Sequence, residues 1–317
     1  MTIFLIVLAV LVLLFLSGAY WAYRFTFYSP NATQNDDHTL PLSPEMEPMA
    51  EDVHRMIDEL AAVPYEPVFI TSHDGLRLRG RYYHQRDGAP IALCFHGYRG
   101  TPTRDFSGGS RVLARAGFNF LLIEERAHCG SEGHTISFGV NERLDCIAWV
   151  QHFHYRFEEA EMILFGVSMG AATVLMATAL PLPDCVKGVV ADCPFTEPKA
   201  IIRKVGEDIH IPGFLTGLAA PVAARLFGHF RLSGASALKA VRETKLPILL
   251  IHGENDTFVP CDMSRALHAA NPERTELHTF PGANHGISYL VDPARYGRLV
   301  LDFADRVLTD SKELLRR

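Results

Sequence analysis

Residues Ile163–Leu180 read ILFGVSMGAATVLMATAL, and their reading decides how the rest of the chain is interpreted. Three apolar residues run into Gly166, Val167, Ser168, Met169 and Gly170, and an alanine-rich stretch with helical spacing follows at once. An ordinary connection between a buried strand and a buried helix carries Asn, Asp or Pro. Here the only polar residue of the junction is the serine, which implies a sharp strand-to-helix turn. Such a turn strains its central residue, and glycines two positions to either side remove the Cβ atoms that would collide. The serine Oγ is then presented at the tip, beside the outward-pointing N–H groups of a helix N-terminus. The bland alternative is a chance G-x-S-x-G. The motif requires a strand before it and a helix after it, and this context favours a nucleophile.

The same type of apolar run recurs on either side. IALCFHG (91–97), FNFLLIE (118–124), MILFGVS (162–168), VKGVVAD (186–192) and PILLIHG (247–253) alternate with helical segments. Runs that do not alternate polar and apolar residues mark strands buried on both faces, and alternation with helices marks βαβ units. The expected fold is α/β, a mostly parallel central sheet with helices on both faces through right-handed crossovers. Ahead of it, PVFITSHDGLRLRGRYYH (67–84) alternates about the turn signal His73-Asp74-Gly75 and predicts two antiparallel strands, after a helix near Glu51–Ala62. The interval between Asp192 and Pro247 is too long for a simple crossover. It contains FLTGLAAPVAARLFGHF (214–230), interrupted by Gly217 and Pro221, and predicts a small helical cap over about 194–245.

At the N-terminus, Ile3–Tyr23 carries no charge. As a helix it spans about 31 Å, the thickness of a bilayer's hydrocarbon core. Tyr20, Trp21 and Tyr23 fall at the interfacial end, followed by Arg24. A cleaved signal peptide is the competing reading, with Ser17 and Ala19 before the cut; the lack of a basic n-region and the length of the run weigh against it. The expected organisation is a transmembrane anchor at 1–24, a Pro- and Asn-rich linker at 25–50 and a catalytic domain at 51–317. Arg24 puts that domain on the cytoplasmic side by the positive-inside bias. The sequon Asn31-Ala32-Thr33 would matter only on the other side.

With 30 Lys and Arg against 36 Asp and Glu, the net charge is −6, and no basic stripe interleaved with aromatics argues for nucleic acid. Cys94, Cys129, Cys146, Cys185, Cys193 and Cys261 lack C-x-x-C spacing, and a chain of 317 residues has core enough without disulfides, so thiols are expected. No feature of the sequence specifies an oligomeric state.

A serine hydroxyl needs a general base, the base an orienting carboxylate, and the tetrahedral oxyanion needs hydrogen-bond donors. Each has one candidate just after a strand-like run, where an open parallel sheet builds its sites. Of fifteen histidines, His285 in FPGANHGIS (280–288) follows the last run, with Gly282 and Gly286 freeing the loop. In LIHGENDTFVP (250–260), Asp256 stands where it can reach His285, with Glu254 as runner-up. In CFHGYRGTP (94–102), the backbone N–H of Tyr98, with that of Met169, forms the expected oxyanion hole, and His96 is expected to hold the loop by hydrogen bonding. His128, Cys129 and His134 could be imagined as metal ligands, but no fourth ligand at zinc spacing is evident. His152 and His154, two apart on a helix, face different directions and read as surface residues.

The segments HGYRG (96–100), GVSMG (166–170), LPILLIHGENDTFVP (246–260) and GANHG (282–286) resemble the α/β-hydrolase superfamily over about residues 65–312. The likeness is in particular to serine-aminopeptidase-like hydrolases and to membrane-anchored α/β-hydrolase-domain proteins. It implies an α/β-hydrolase fold, Ser168 as nucleophile, Asp256 as acid, His285 as base, and Tyr98 and Met169 as oxyanion donors. ERAHCGSEGH (125–134) resembles the family's Asp-x-Arg-Gly-His-Gly-x-Ser-x-Gly loop, with Glu125 near the usual Asp and Cys129 for a glycine.

The resulting expectation is a membrane-anchored serine hydrolase that cleaves carboxylic esters, thioesters or amides through an acyl-enzyme, with no metal or organic cofactor. The apolar cap and the anchor point to a lipophilic small-molecule acyl substrate. A peptidase on short peptides would need an acid in the cap for the free amine, and Glu197 and Glu207 are available. A silent, hydrolase-like binding protein would be expected to lack part of the triad. Acyl transfer to an acceptor other than water would depend on the geometry of the cap.

Overall fold

A computed structural model of the chain describes residues 1–30, 47–158 and 160–308. The strands are β1 (Glu66–Thr71), β2 (Arg77–Tyr83), β3 (Ile91–Phe95), β4 (Asn119–Glu124), β5 (Met162–Val167), β6 (Val186–Asp192), β7 (Ile248–Gly253) and β8 (Thr275–Phe280). They form one eight-stranded sheet in the order β1-β2-β4-β3-β5-β6-β7-β8. β1 and β2 are antiparallel to their neighbours, and β3 to β8 run parallel. The turn between β1 and β2 needs Gly75, whose φ of 90° an L side chain rarely adopts.

The helices are α1 (Thr2–Thr26), α2 (Ala50–Ala61), α3 (Pro102–Asp105), α4 (Gly109–Arg115), α5 (Glu142–Arg156) and α6 (Met169–Ala177). They continue with α7 (Pro198–Asp208), α8 (Gly213–Leu226), α9 (Ala237–Glu243), α10 (Asp262–Ala270), α11 (Ser288–Val291) and α12 (Pro293–Val307). The sheet is buried on both sides, which accounts for strands without polar alternation. Leu93, Leu164, Val189 and Leu250 pack with Trp149 of α5 and Leu175 of α6 on one face. Cys94, Phe165, Val190 and Leu249 pack with Val300 and Phe303 of α12 on the other. No disulfide joins any of the six cysteines.

The chain leaves β3 toward β4 and returns on the other side of β3 to form β5. The loops after β3 and β5 therefore diverge, and the crevice they open is where a doubly wound sheet binds ligands. HGYRG and the Ser168 turn flank that crevice.

The interval expected to form a cap divides in two. α7 and α8 pack on each other, and α8 packs on α1, whereas α9 packs on α6 and α10 and belongs to the layer covering the sheet. α1 is the one helix among the described residues that is long and apolar enough to cross a membrane. It runs to Thr26, two residues past the expected end of the anchor. The residues expected to begin a linker are packed instead. Phe27 is fully buried, its carbonyl accepts the Ile136 N–H at 2.7 Å, and the Ser29 N–H donates to the His134 carbonyl at 2.9 Å. A burial of aromatic surface this complete outweighs the linker signal of Pro30 and its neighbours. Residues 31–46 of the expected linker, with the sequon at Asn31, and residues 309–317 of the expected catalytic domain lie outside the described residues.

Candidate active site

Ser168 directly follows β5 and caps α6 with φ 54° and ψ −111°, a strained conformation for a residue with a Cβ. Two close approaches of backbone impose it. A Cβ on Gly166 would lie 2.3 Å from the Gly170 carbonyl group, and a Cβ on Gly170 would lie 2.0 Å from the Phe95 oxygen. Both glycines are thus required by crowding between β5, α6 and the end of β3. The Ser168 N–H donates to the Asp192 carbonyl at 2.8 Å and its own carbonyl accepts from Ala172 at 3.0 Å, so the strained residue is tied on both sides.

Around it the structure brings together the residues singled out from the sequence. His285 Nε2 lies 2.9 Å from Ser168 Oγ, and His285 Nδ1 lies 2.7 Å from Asp256 Oδ2. Asp256 Oδ1 accepts the N–H groups of Phe258 and Val259, at 2.9 and 2.8 Å, which fixes the carboxylate and aims its other oxygen at the imidazole. His252, buried in β7 one residue before its end, approaches Asp256 Oδ2 with Nε2 at 3.2 Å while that nitrogen donates to the Val259 carbonyl at 2.8 Å. Burial opposes ionisation of Asp256, but hydrogen bonds with His252 and His285 outweigh it and hold the carboxyl well below its ordinary range. Glu254 points elsewhere and accepts the Thr279 hydroxyl at 2.6 Å.

The loop after β3 is held from beneath by two histidines. His96 Nδ1 donates to the Gly97 carbonyl at 2.8 Å and its Nε2 accepts the Glu125 N–H at 3.1 Å. His128 Nδ1 donates to the Arg126 carbonyl at 2.8 Å and its Nε2 accepts the Arg99 N–H at 3.0 Å. Each ring is therefore a neutral tautomer with one donor and one acceptor nitrogen. Burial pushes His96 down to about 4 and His128 down to about 3. The Gly97 N–H is taken by Asp105 Oδ2 at 2.7 Å. Burial pushes the Asp105 carboxyl up, but Arg104, His96 and that N–H leave it below its ordinary value. The Tyr98 N–H and the Met169 N–H have no protein acceptor among the described residues, and Met169 is the first residue of α6. Gly97 stands against the serine, since a Cβ there would be 3.4 Å from that of Ser168.

The His96 arrangement carries a pH prediction. A histidine lowered from 6.5 to about 4 stabilises the fold fully above pH 6.5, and this is lost as pH falls toward 4. In urea titrations, the stability advantage of the wild type over His96→Gln should shrink by up to about 3 kcal/mol between those limits. A gap that stays constant over that window would contradict a neutral, acceptor role for His96 Nε2.

ERAHCGSEGH forms the floor of this loop. Arg126 is buried between Asp74 and Asp145, with Nη1 2.9 Å from Asp74 Oδ2 and Nε 2.6 Å from Asp145 Oδ2. His128, imagined as a metal ligand, has both nitrogens engaged in the loop, and His134 Nδ1 faces the Ser29 carbonyl at 3.2 Å. A different cluster, Cys193, Asp256 and His285, has its donor atoms within 4.8 Å of one another. Asp256 and His285 are already bonded there, and burial pushes the Cys193 thiol up, away from the thiolate a metal needs. His152 is half-buried against Trp149 and Phe153, and His154 is exposed.

Two residues near the serine escaped the sequence reading. Asp192 lies at the end of β6, with Oδ2 accepting the Tyr296 hydroxyl at 2.9 Å and Oδ1 without a partner among the described residues. Burial pushes its carboxyl up to about 6. Asn284 Oδ1 accepts the N–H groups of Thr257 and His285, at 3.1 and 2.8 Å, and ties the Asp256 loop to the His285 loop. Its place beside His285 in GANHG was the available signal.

Two cavities meet at Ser168. One, of about 460 Å³, is lined by Arg104, Asp105, Asp192, Asn284, His285 and Tyr289 among others. The other, of about 780 Å³, lies between α1, α7 and α8. Neither Glu197 nor Glu207 lines either cavity: Glu197 accepts the Ser236 hydroxyl at 3.1 Å and Glu207 pairs with Arg203 at 2.8 Å on the surface.

Known proteins share the family and the fold of this chain. The family model of the prolyl oligopeptidase family, peptidase S9, matches residues 105–311, a segment that holds Ser168, Asp256 and His285. The uncharacterized protein YqkD of Bacillus subtilis is 26% identical over 199 residues, 62% of this chain and 65% of that protein, so the chain spans just under two thirds of its length. The bifunctional esterase/perhydrolase DCH of Acinetobacter calcoaceticus is 28% identical over 69% of this chain and 93% of its own. Among solved structures, the Pyrococcus furiosus esterase Pf2001 superposes with a TM-score of 0.65 at 22% identity, covering 80% of this chain and 94% of that one. The family match over residues 105–311, on a mostly parallel eight-stranded sheet, makes this chain a member of the prolyl oligopeptidase family, within the α/β-hydrolase superfamily.

Proposed function

We propose that the chain is a membrane-anchored serine hydrolase that cleaves esters of lipophilic acyl groups through Ser168, His285 and Asp256. The observation that carries the reading is the continuous hydrogen-bonded chain from Ser168 Oγ through His285 to Asp256, on a strained turn at the junction of two cavities. In this reading Ser168 Oγ attacks the acyl carbon while His285 Nε2 takes its proton. Asp256 holds the imidazole in the tautomer with Nδ1 protonated and stabilises the imidazolium. The N–H groups of Tyr98 and Met169 receive the oxyanion. The proton passes to the departing alcohol, water then attacks the acyl-enzyme with His285 as base, and the carboxylic acid leaves with Ser168 restored. α1 anchors the domain to the bilayer, with the catalytic body on the cytoplasmic side.

A butyl fluorophosphonate carrying a reporter tests the reading. Ser168 should be the labelled residue in the full-length protein, and Ser168→Ala should take no label. Labelling at another residue, or none in the wild type, would refute it.

A further inference from the structure

The cavity of about 780 Å³ has a wall that the catalytic domain does not supply. Phe15, Ala22 and Phe25 of α1 face Val205, Ile209 and Leu215 of the cap, and no charged side chain among the described residues lines the space. From Thr26 to Phe15 the lined part of α1 extends about 16 Å. At about 1.2 Å per bond, that matches an extended chain of roughly 13 bonds. Ser168 and Met169 line its inner end.

The outer rim is apolar and exposed. Trp21 and Phe25 of α1 are 57% and 72% exposed, and Leu215 and Leu218 of α8 are 45% and 55% exposed. Such a patch, continuous with a helix fit to cross hydrocarbon, belongs in a membrane rather than in water. The end of α1 is also fastened to the oxyanion loop. The Tyr98 hydroxyl donates to the Thr26 carbonyl at 2.9 Å, and Arg99 Nη2 donates to the Phe25 carbonyl at 2.8 Å. These are carbonyls that a helix C-terminus leaves without intrahelical partners, and a cation suits that end of the helix dipole. The loop that carries the Tyr98 N–H thus fixes where α1 stands relative to Ser168.

We infer that this cavity is an acyl-chain channel loaded sideways from the bilayer, with α1 as one wall of the binding site. The substrate class is a long-chain carboxylic ester of a polar alcohol: the chain lies between α1 and the cap, and the alcohol lies in the smaller cavity beside Arg104 and Asn284. The inference rests on the reading of Ser168 as the acylated residue. The fatty acid released by hydrolysis leaves along the same channel.

The test uses the full-length protein in phospholipid nanodiscs and compares the rates at which butyl and hexadecyl fluorophosphonates label Ser168. The hexadecyl probe should react at least about tenfold faster, because it concentrates in the bilayer beside the channel while the butyl probe stays largely in water. Ala22→Trp and Ala219→Trp, which put an indole into the channel, should each reduce the hexadecyl-to-butyl ratio by about tenfold, because the long chain can then no longer lie between α1 and α8 while its head reaches Ser168. A hexadecyl probe with a terminal diazirine should crosslink the wild type within the tryptic peptide Met1–Arg24 or on α8. A ratio within about twofold of wild type in both variants, or crosslinks confined to the smaller cavity, overturns the channel while the serine reading stands. Failure of the butyl probe to label Ser168 overturns the serine reading itself, and the channel with it.

Discussion

Ser168→Ala is expected to lower kcat by about 10⁶, and a combined Ser168→Ala/His285→Ala variant is expected to be no worse, because residues acting as one unit are lost together. Asp256→Asn is the more informative change. Asp256 Oδ1 accepts two backbone N–H groups, and only Oδ2 faces His285 Nδ1. An amide in that place either turns its NH₂ on the two N–H donors or turns it on the histidine. The second arrangement forces the tautomer with Nε2 protonated, which cannot take the serine proton. A loss of about 10⁴ in kcat with little change in KM is expected. Glu254→Gln, whose carboxylate faces Thr279, should leave kcat within about twofold. Turnover of a p-nitrophenyl butyrate series measures all of these, and a larger loss for Glu254→Gln than for Asp256→Asn would reassign the acid.

Gly170→Ala is expected to have the largest effect on stability. The added methyl would lie 2.0 Å from the Phe95 oxygen and 2.4 Å from its carbonyl carbon, and both are backbone atoms of a fully buried strand. Neither can move without breaking the pairing of β3 with β5, so a loss of at least about 4 kcal/mol is expected. Gly217→Ala is the control. Nothing lies within 4 Å of the Cβ it would add in α8, and relief of glycine's helix penalty should make the change neutral or stabilising by up to about 1 kcal/mol. Thermal unfolding of the full-length protein in detergent compares the pair. Equal midpoints would mean that the crowding at the turn is not what demands glycine.

Much of this was legible in the sequence because the signals are local. A strand buried on both faces needs consecutive apolar residues, and IALCF and ILLI are such runs, shorter than a buried helix and bounded by glycine or proline. The turn at Ser168 needs two residues without Cβ atoms at fixed offsets, so Gly166 and Gly170 declare it. The strand ends also declare where functional side chains can stand, which is how His285 and Asp256 could be chosen from fifteen histidines and many carboxylates. The expected role of His96 followed from its place one residue before Gly97, where the ring is found bonded to that residue's carbonyl.

Other features left no such trace. Asp192 closes an apolar strand and reads as an ordinary strand end, yet it is fully buried against Tyr296, 104 residues away in sequence. α9 has the composition of a cap helix but packs beside α6 and α10. The apolar run of α1 determines by itself that a helix can cross a bilayer, since its length and lack of charge are properties of one segment. That its last turn is capped by Tyr98 and Arg99, and that it walls a cavity ending at Ser168, was decided only by tertiary packing. Periodicity and turn chemistry are written in neighbouring residues. Contact between segments more than 70 residues apart depends on the shapes of two surfaces, and that complementarity leaves no periodic mark on either one.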